Sequence, residues 1–351
     1  MSTTTSNTLI VGQGMAGTLM ARRLERAGLP FQVIDRGHGH SSTAVAAGII
    51  NPVTGRHMVK SWRFDDLLPE LIAAYRDFEA LLGIPILNPT RVLRVLPSVS
   101  EENKWHLQAG KEGYTPYLRS FPDAREVAPH LKPVHAFGEI QNAFTVNWPD
   151  LLSAYRAHLE KAGKLINETF DHGRLVRTPN NLTYGPHSYG SIIFCEGAGV
   201  RTNPFFSNLP LEGAKGEVLL IRIPGASFRC IIKHRLLIAP WQDDIYWAGS
   251  NYERGATDPR PTEKTRARLL DSLREILLEE PEITGHLAGI RPTVSDRRPL
   301  IGRHPDDPRV VLFNGLGTKG SSLAPFWSAH LFDHLFSGTP IDPEVDCRRF
   351  L

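Results

Sequence analysis

Three glycines near the N-terminus have the type and spacing needed to hold a phosphate group. Gly12, Gly14 and Gly17 follow the apolar residues 9–11 in the pattern G-x-G-x-x-G. Glycine there allows a tight turn, close approach of a pyrophosphate, and close packing of the next helix, whose free amides attract phosphate. Asp35, about 20 residues further on, can accept hydrogen bonds from a ribose diol. The stretch predicts a dinucleotide site; a structural turn in another α/β fold is the alternative.

A second glycine-rich segment lies near the other end of the chain. The apolar run Val310–Asn314 predicts a buried strand, and the glycine-rich residues 315–322 follow it directly. We expect Pro325 to begin a helix that ends near Ser337, because proline is favoured at the first helical position. Two glycine-rich turns at opposite ends of the chain suit one long cofactor stretched across a domain.

Apolar residues at helical spacing predict three further helices. The first is capped by Asp65 or Asp66 and ends at Gly83, the second covers residues 150–163, and the third covers residues 262–280. Between residues 97 and 144 the pattern indicates no long helix.

Residues 216–249 hold four apolar runs without an intervening helix, which predicts an antiparallel sheet. We therefore predict an α/β fold in which a Rossmann-type nucleotide-binding domain is assembled from discontinuous segments, residues 1–85, 142–210 and 286–351. An antiparallel, β-rich domain from residues 86–141 and 211–285 is inserted into it. A ligand pocket is expected between the two domains.

Composition indicates a globular protein without a strong charge imbalance. The 351 residues are 41% hydrophobic and 22% charged, and the formal net charge of +3 gives no reason to expect a nucleic-acid or membrane partner. Cys195, Cys230 and Cys347 form no C-x-x-C pair, which argues against a disulfide framework and a structural zinc site, so no metal is expected. Residues 1–7 are polar and contain no signal core, and we expect a cytoplasmic protein.

Five stretches in chain order resemble the D-amino-acid oxidase family of FAD-dependent oxidoreductases, and within it glycine oxidases and related amine oxidases. They are the glycine motif with Asp35 and Arg36, the small-residue loop 41–52, the strand and glycine turn of 191–199, the G-x-R-P segment of 289–302, and the terminal loop 315–325. The resemblance implies FAD rather than NAD, and it makes the β-rich insertion the substrate domain. Some relatives attach their flavin through a cysteine in the G-x-R-P segment. This chain has none there, so non-covalent FAD is expected.

The resemblance also implies which residues bind the cofactor. They are Gly12, Gly14, Met15, Ala16, Gly17, Asp35, Arg36, Ser42, Thr43, Ala47, Gly48, Ile49, Gly197, Gly199, Gly315, Gly317, Thr318, Lys319, Gly320 and Ser321. Backbone amides of the terminal loop would lie near the flavin pyrimidine ring, where negative charge grows on reduction. Lys319 would add a positive charge there; an exposed loop lysine is the alternative.

Arg291, Tyr246 and Lys319 are the candidates for the catalytic site, and Trp247 is considered together with Tyr246. The resemblance implies that Arg291, in the G-x-R-P segment, pairs with a substrate carboxylate, a role that suits a planar guanidinium. A structural ion pair with Asp296 is the alternative. Tyr246 and Trp247 lie where relatives place aromatic pocket residues, and ordinary core packing is equally open for both. Lys319 is the third candidate, for the charge it would bring to the flavin.

The predicted reaction is oxidation of the C–N bond of a small amino acid or secondary amine that carries a carboxylate, by hydride transfer to flavin N5. Dioxygen or another acceptor would reoxidise the flavin. The alternatives are a flavin dehydrogenase acting on a 2-hydroxy acid, an oxidase-like enzyme acting on a modified tRNA base, a non-catalytic flavin-binding protein, and an NAD-dependent dehydrogenase. A basic run over residues 56–63 would favour the tRNA reading.

Overall fold

The computed structural model describes residues 7–39 and 41–350. Residues 1–6, on which the expectation of a cytoplasmic protein partly rests, lie outside the described residues. No helix in the described ranges has both the length and the apolar character needed to cross a membrane. The helices are α1 (Met15–Arg26), α2 (Phe64–Leu82), α3 (Val99–Ala109), α4 (Trp148–Lys161), α5 (Glu263–Arg274) and α6 (Gly320–Phe336).

The strands form four sheets of very different size. In chain order they are β1 (Thr8–Val11), β2 (Phe31–Ile34), β3 (Val53–Thr54), β4 (Val59–Lys60), β5 (Leu87–Leu96), β6 (Leu118–Ser120), β7 (Ala136–Val146), β8 (Leu165–Ile166), β9 (Val176–Arg177), β10 (Leu182–Tyr184), β11 (His187–Tyr189), β12 (Ser191–Phe194), β13 (Leu211–Arg222), β14 (Ile231–Lys233), β15 (Leu237–Gln242), β16 (Ile245–Gly249), β17 (Glu253–Arg254), β18 (Glu282–Val294), β19 (Leu300–Arg303) and β20 (Val310–Asn314). The two small sheets are β9–β10–β11 and the hairpin β3–β4.

The central sheet has the strand order β19-β20-β12-β1-β2-β8. Its inner strands are parallel, with Ile10 of β1 opposite Ile193 of β12 and Val33 of β2, and only the edge strand β19 runs antiparallel. The inner strands are mostly apolar, as expected for a sheet that is covered on both faces. Since they come from the beginning, the middle and the end of the chain, the predicted α/β fold with a discontinuous Rossmann-type domain is confirmed.

The second large sheet has the order β17-β13-β16-β15-β14-β5-β7-β6, with β18 also paired to β13. It is antiparallel as predicted, except that β14 pairs with β5 in parallel. Two predicted domain boundaries, after residue 141 and after residue 285, fall inside the continuous strands β7 and β18. Both strands belong to the second sheet over their whole length, since β7 pairs with β5 and β18 pairs with β13.

Alternate residues of the second sheet face different parts of the interior. Val218, Ile231 and Trp247 belong to the core shared with α1, α2, α4 and α6, whereas Leu219 and Tyr246 belong to a separate core beneath α5. This alternation decides which side chains of β13 and β16 can reach the space between the sheets.

The terminal helix starts earlier than predicted, at Gly320, and Pro325 lies inside it. A proline inside a helix leaves the carbonyl four residues earlier without its usual donor. Here the hydroxyl of Tyr75, on α2, donates to the carbonyl of Ser321 at 2.8 Å. This side-chain donor satisfies the carbonyl that Pro325 leaves free, so the helix continues through the proline.

Three other helix predictions also need correction. Helix α2 begins after Arg63, whose backbone is left-handed, and Asp65 and Asp66 pair with Lys60 and Arg63 instead of capping it. Helix α5 ends at Arg274, earlier than predicted. Helix α3 was not expected because Trp105 is its only buried residue, so its apolar periodicity is weak.

Candidate active site

A cavity of about 700 Å³ lies where the two large sheets face each other. On one side it is lined by residues that follow the carboxyl ends of β1, β2 and β12, namely Gly12, Asp35 and Cys195. This is the edge at which open α/β sheets bind their ligands. On the other side it is lined by residues of β13, β15, β16 and β18. We call these the Rossmann wall and the sheet wall.

Most of the predicted cofactor residues line this cavity together. They are Gly12, Gly14, Met15, Ala16, Asp35, Arg36, Ser42, Thr43, Ala47, Gly48, Ile49, Gly197, Gly199, Gly317, Thr318, Gly320 and Ser321. Gly17, Gly315 and Lys319 are not among the lining residues, and their surroundings are described below.

The first glycine turn is shaped by contacts inside the protein. Gly12 has a φ of +97°, and a Cβ there would lie 2.6 Å from the carbonyl oxygen of Cys195. A Cβ on Gly17 would lie 1.8 Å from the carbonyl oxygen of Gly12. A Cβ on Gly14 would meet nothing closer than the Thr43 hydroxyl at 3.6 Å. Gly12 and Gly17 are therefore needed by the fold itself, while Gly14 leaves room on the cavity side.

The small-residue loop 41–52 is held against both walls. The backbone amide of Met15 donates to the Thr43 hydroxyl at 3.2 Å. Gly48 has a φ of +65° and packs so closely that a Cβ would lie 2.0 Å from the carbonyl oxygen of Val146. The indole N–H of Trp247 donates to the carbonyl of Val45 at 2.9 Å. The loop is thus fixed between the first turn and the sheet wall.

The terminal glycine loop reaches the first turn. A Cβ on Gly320 would lie 2.5 Å from the sulfur of Met15, so the N-terminal ends of α6 and α1 are in contact. The Trp148 indole donates to the Ser321 hydroxyl at 2.9 Å, and the Gly317 amide donates to the carbonyl of Pro292 at 2.9 Å. Two helix N-termini, each with a positive dipole end, therefore face one cavity.

Lys319 and Gly315 support the terminal loop from outside the cavity. The ammonium of Lys319 donates to the hydroxyls of Thr54 at 3.0 Å and Ser61 at 2.9 Å, which ties the loop to the β3–β4 hairpin. Burial lowers the pKa of Lys319, and Arg297 and Arg298 lower it further. Gly315 packs on Val294, 2.8 Å from a hypothetical Cβ. The expectation that the Lys319 side chain faces the cofactor is therefore not supported by its position.

The carboxylate of Asp35 is oriented by three donors. It accepts hydrogen bonds from the amides of Gln13 at 2.8 Å and Gly37 at 2.7 Å, and from the guanidinium of Arg156 at 2.9 Å. Arg156 lies on α4 and was not anticipated, because nothing in its local pattern indicates a partner so distant in sequence. The arrangement holds Asp35 at the edge of the cavity, where the sequence predicts a ribose.

Arg291 is placed in the cavity as predicted. Its Nη2 donates to the hydroxyl of Ser250 at 2.7 Å, and its buried Nη1 finds no hydrogen-bond partner among the described residues. Burial lowers the pKa of Arg291 from its ordinary value. Asp296, the alternative partner, pairs instead with Arg349 at 2.9 Å. A buried cationic donor without a partner is costly for the empty protein, and an anionic ligand would remove that cost.

Glycine 216 makes this position of the guanidinium possible. A Cβ on Gly216 would lie 2.0–2.3 Å from the guanidinium atoms of Arg291. The arginine side chain therefore lies directly on the backbone of β13. Neither Gly216 nor Ser250 was identified from the sequence, since both depend on which strands become neighbours.

Tyr246 does not belong to the cavity, which corrects one sequence prediction. Its ring packs on Phe228 with centroids 4.4 Å apart, and its hydroxyl donates to the Phe228 carbonyl at 3.2 Å. It lies in the core beneath α5, on the opposite face of β16 from Trp247. Trp247 does line the cavity, together with Val218 and Leu237, which the sequence analysis did not single out.

With this geometry established, comparison with known proteins decides the family. The family described as FAD dependent oxidoreductase (DAO) matches residues 7–334. This protein belongs to that family. It is an FAD-dependent oxidoreductase, and the predicted cofactor and family resemblance are confirmed.

Individual relatives are distant but cover nearly the whole chain. A glycine oxidase of Pseudomonas aeruginosa is 26% identical over 96% of each protein. A bifunctional protein of tRNA 5-methylaminomethyl-2-thiouridine biosynthesis from Azoarcus is 23% identical over 96% of this chain, which spans 58% of that longer protein. The iminodiacetate oxidase of Chelativorans has a TM-score of 0.81 at 19% identity, with 98% of both chains covered.

The residues of the cavity fit FAD. The first turn leaves open space on the cavity side of Gly14, Asp35 lies at the edge of the cavity, and the N-terminal end of α6 faces the same space. FAD needs these features because its ribose, pyrophosphate and flavin are spread along one axis, with the pyrophosphate in the middle. The cavity that contains Arg291 thus has the features that an FAD site needs.

Proposed function

We propose that this flavoenzyme oxidises the C–N bond of a small amino acid or secondary amine that carries a carboxylate. The observation that carries the proposal is the guanidinium of Arg291, which is buried in the cavity and whose Nη1 has no hydrogen-bond partner in the described part of the chain. A carboxylate would accept hydrogen bonds from this group and neutralise its charge. The relatives named glycine oxidase and iminodiacetate oxidase support an amine as the group that is oxidised.

The protein's part in this reaction is to bind and orient the substrate. Bound FAD supplies the hydride acceptor, flavin N5. Arg291 would hold the substrate carboxylate, so that the neighbouring C–H bond has a fixed position. The apolar side chains of Val218, Leu237 and Trp247 would exclude water from the reacting carbon. The substrate nitrogen enters as a neutral amine, and the imine that leaves is hydrolysed by water, so the oxidation needs no strong side-chain acid or base.

The test is anaerobic reduction of the bound flavin by a panel of candidate substrates. Glycine, sarcosine, proline and D- and L-amino acids are mixed with the holoenzyme, and loss of the flavin absorption is followed. We expect at least one amine to bleach the flavin. Arg291→Leu should lower the affinity for that amine by at least about 100-fold, which corresponds to about 3 kcal/mol of binding free energy. Arg119→Leu, at an exposed position on β6, is the matched control.

Flavin content separates the possible outcomes. If Arg291→Leu retains FAD and loses only substrate, the guanidinium acts on the substrate as proposed. If the variant reacts as well as the wild type, the carboxylate is bound elsewhere and the proposal is wrong. Reoxidation of the bleached enzyme by air then distinguishes dioxygen from another electron acceptor.

A 2-hydroxy acid remains the second candidate substrate. Its carboxylate would fit Arg291 equally well, so the geometry of the clamp does not separate it from an amino acid. Bleaching by lactate or another hydroxy acid, with no response to any amine, would favour this alternative.

The tRNA alternative receives little support from the basic run of residues 56–63. Lys60 pairs with Asp65 at 2.5 Å, and Arg63 pairs with Asp66 at 3.0 Å and Asp342 at 2.8 Å. Most of the positive charge that could attract phosphate is therefore already neutralised.

A further inference from the structure

The sheet wall carries an ordered row of side chains beside Arg291. On β13, Gly216 and Val218 face the cavity. Val218 is paired with Gly249 of β16, and Gly249 in turn with Leu237 of β15. The row therefore crosses three strands at one level, directly next to the level at which the guanidinium lies on Gly216.

Gly249, at the middle of this row, has no side chain, and the neighbouring side chains fill the space. A Cβ on Gly249 would lie 2.7 Å from Cγ1 of Val218 and 3.1 Å from Cη2 of Trp247. Val218 and the end of the Trp247 ring thus meet above Gly249, with Leu237 on the far side. We call Val218, Leu237 and Trp247 the apolar wall; all three line the cavity.

The distance between the guanidinium and the apolar wall suits a single small molecule. Gly216 and Val218 are two residues apart on one strand face, which is roughly 7 Å. Suppose that Arg291 holds the carboxylate of the substrate. A group that lies one or two bonds beyond the substrate's α-carbon or nitrogen would then contact the apolar wall. Such a group leaves water when it binds, which is favourable only if it is apolar.

Charges in the cavity also restrict the substrate. Among the described residues that line it, the lysines and arginines are Arg36 and Arg291. Arg36 follows Asp35 at the end of β2, on the Rossmann wall. A second carboxylate placed against the apolar wall would meet no cation there, and it would lose its hydration without forming an ion pair.

We propose that the substrate has one carboxylate, bound by Arg291, and an apolar substituent of about three to six carbons that contacts the apolar wall. Glycine and dicarboxylates such as iminodiacetate are then poor substrates. This inference rests on the proposed function, since it uses Arg291 as the carboxylate clamp.

Binding of unreactive carboxylates tests the inference without turnover. The FAD-loaded enzyme is titrated with acetate, propanoate, 3-methylbutanoate, cyclohexylacetate and malonate, and the change in the flavin spectrum gives each Kd. We expect affinity to rise by about fourfold for each added methylene, so that 3-methylbutanoate binds at least about tenfold more tightly than acetate. Malonate is expected to bind no more tightly than acetate.

Two variants test whether the apolar wall causes the rise in affinity from acetate to 3-methylbutanoate. Val218→Thr is nearly isosteric but places a hydroxyl in the wall, and it should reduce the ratio of the acetate Kd to the 3-methylbutanoate Kd at least threefold. Val176→Thr makes the same substitution at an exposed strand position and should leave the ratio unaltered. The wild-type series needs no variant, so poor folding of Val218→Thr would not remove the test.

The outcomes separate this inference from the proposed function. If carboxylates bind and Arg291→Leu abolishes their binding, but 3-methylbutanoate binds no better than acetate, the inference is wrong and the clamp stands. The inference is also overturned if malonate binds more tightly than 3-methylbutanoate. If no carboxylate binding depends on Arg291, the proposed function itself fails.

Discussion

The two walls of the cavity are built in different ways. The turn that forms the Rossmann wall is shaped by backbone contacts, because a Cβ on Gly12 or Gly17 would overlap a neighbouring carbonyl. The sheet wall is made of side chains, and Arg291 and Trp247 are positioned by strand pairing. A change at either of these two glycines should therefore disturb the fold and the cofactor together. A change in the sheet wall should alter the ligand and leave the fold intact.

The largest effect is expected from Gly17→Ala. The added Cβ would lie 1.8 Å from the carbonyl oxygen of Gly12, and neither backbone segment can move without opening the strand–helix contact. We expect a loss of more than about 4 kcal/mol of unfolding free energy and a protein that purifies without FAD. Chemical denaturation and flavin absorption measure the two effects. Gly39→Ala is the control, since a Cβ there meets nothing within 4 Å; equal behaviour of the two variants would contradict the packing argument.

Gly14→Ala separates the cofactor from the fold within the same turn. Its Cβ would be 3.6 Å from the nearest protein atom, an ordinary contact, but it would project toward the cavity. We expect nearly wild-type stability of the FAD-free protein and an FAD affinity lower by at least about 30-fold, measured by fluorescence titration of the apoprotein. Unchanged FAD affinity would show that the pyrophosphate does not approach Gly14.

On the sheet wall, Gly216→Ala should act on the ligand alone. The atoms that a Cβ would overlap are the guanidinium atoms of Arg291, the far end of a flexible side chain, so the arginine can move while the strand stays paired. We expect FAD content and melting temperature close to those of the wild type, and a Kd for acetate raised by about 100-fold. A loss of FAD in this variant would remove the distinction between the two walls.

The difference between the walls also explains what the sequence could predict. The glycine motif, Asp35 and the terminal loop are local patterns, and the space between them follows from the geometry of a parallel sheet. Arg291 was identified because the G-x-R-P segment around it resembles that of the family. Tyr246 and Trp247 were proposed as a pair, but adjacent strand residues face opposite sides, and only strand pairing decides which one reaches the cavity.

Features that depend on contacts distant in sequence were not predictable. Gly216 and Ser250 become recognisable only when β13, β16 and β18 lie side by side. Similarly, Pro325 was expected to begin a helix, because nothing near it reveals that the Tyr75 hydroxyl satisfies the Ser321 carbonyl. Lys319 lies in a loop that faces the cavity, yet its ammonium group donates hydrogen bonds to Thr54 and Ser61, which lie outside the cavity.

Ser250→Ala should produce a smaller change than Gly216→Ala. It removes one hydrogen bond to Nη2 of Arg291 but leaves the guanidinium in place. We expect the Kd for acetate to rise by about tenfold, with FAD content unchanged, because a hydrogen bond to a charged group contributes about 1.5 kcal/mol at the lower end. Ser250→Thr, which keeps the hydroxyl, should restore most of the affinity. Equal affinities of the alanine variant and the wild type would mean that Arg291 is positioned by its packing on Gly216 alone.

The smallest effect is expected behind the sheet wall, at the buried Glu217 of β13. Burial alone would raise the pKa of Glu217, but the amide and hydroxyl of Thr262 and the ammonium of Lys215 together lower it below its ordinary value; His286 lies 3.0 Å away. A carboxyl whose pKa is lower in the folded state stabilises the protein above its unfolded pKa of about 4.3, and this stabilisation is lost as the pH falls through the folded value. Glu217→Gln should therefore be less stable than the wild type at pH 7, and the difference in unfolding free energy should shrink as the pH falls below about 4.3. Urea denaturation of both proteins between pH 3 and pH 7 measures this difference in unfolding free energy. The Kd values for carboxylates at pH 7 are the control and should be the same for both proteins. A difference that stays constant with pH would show that Glu217 contributes through packing instead of charge.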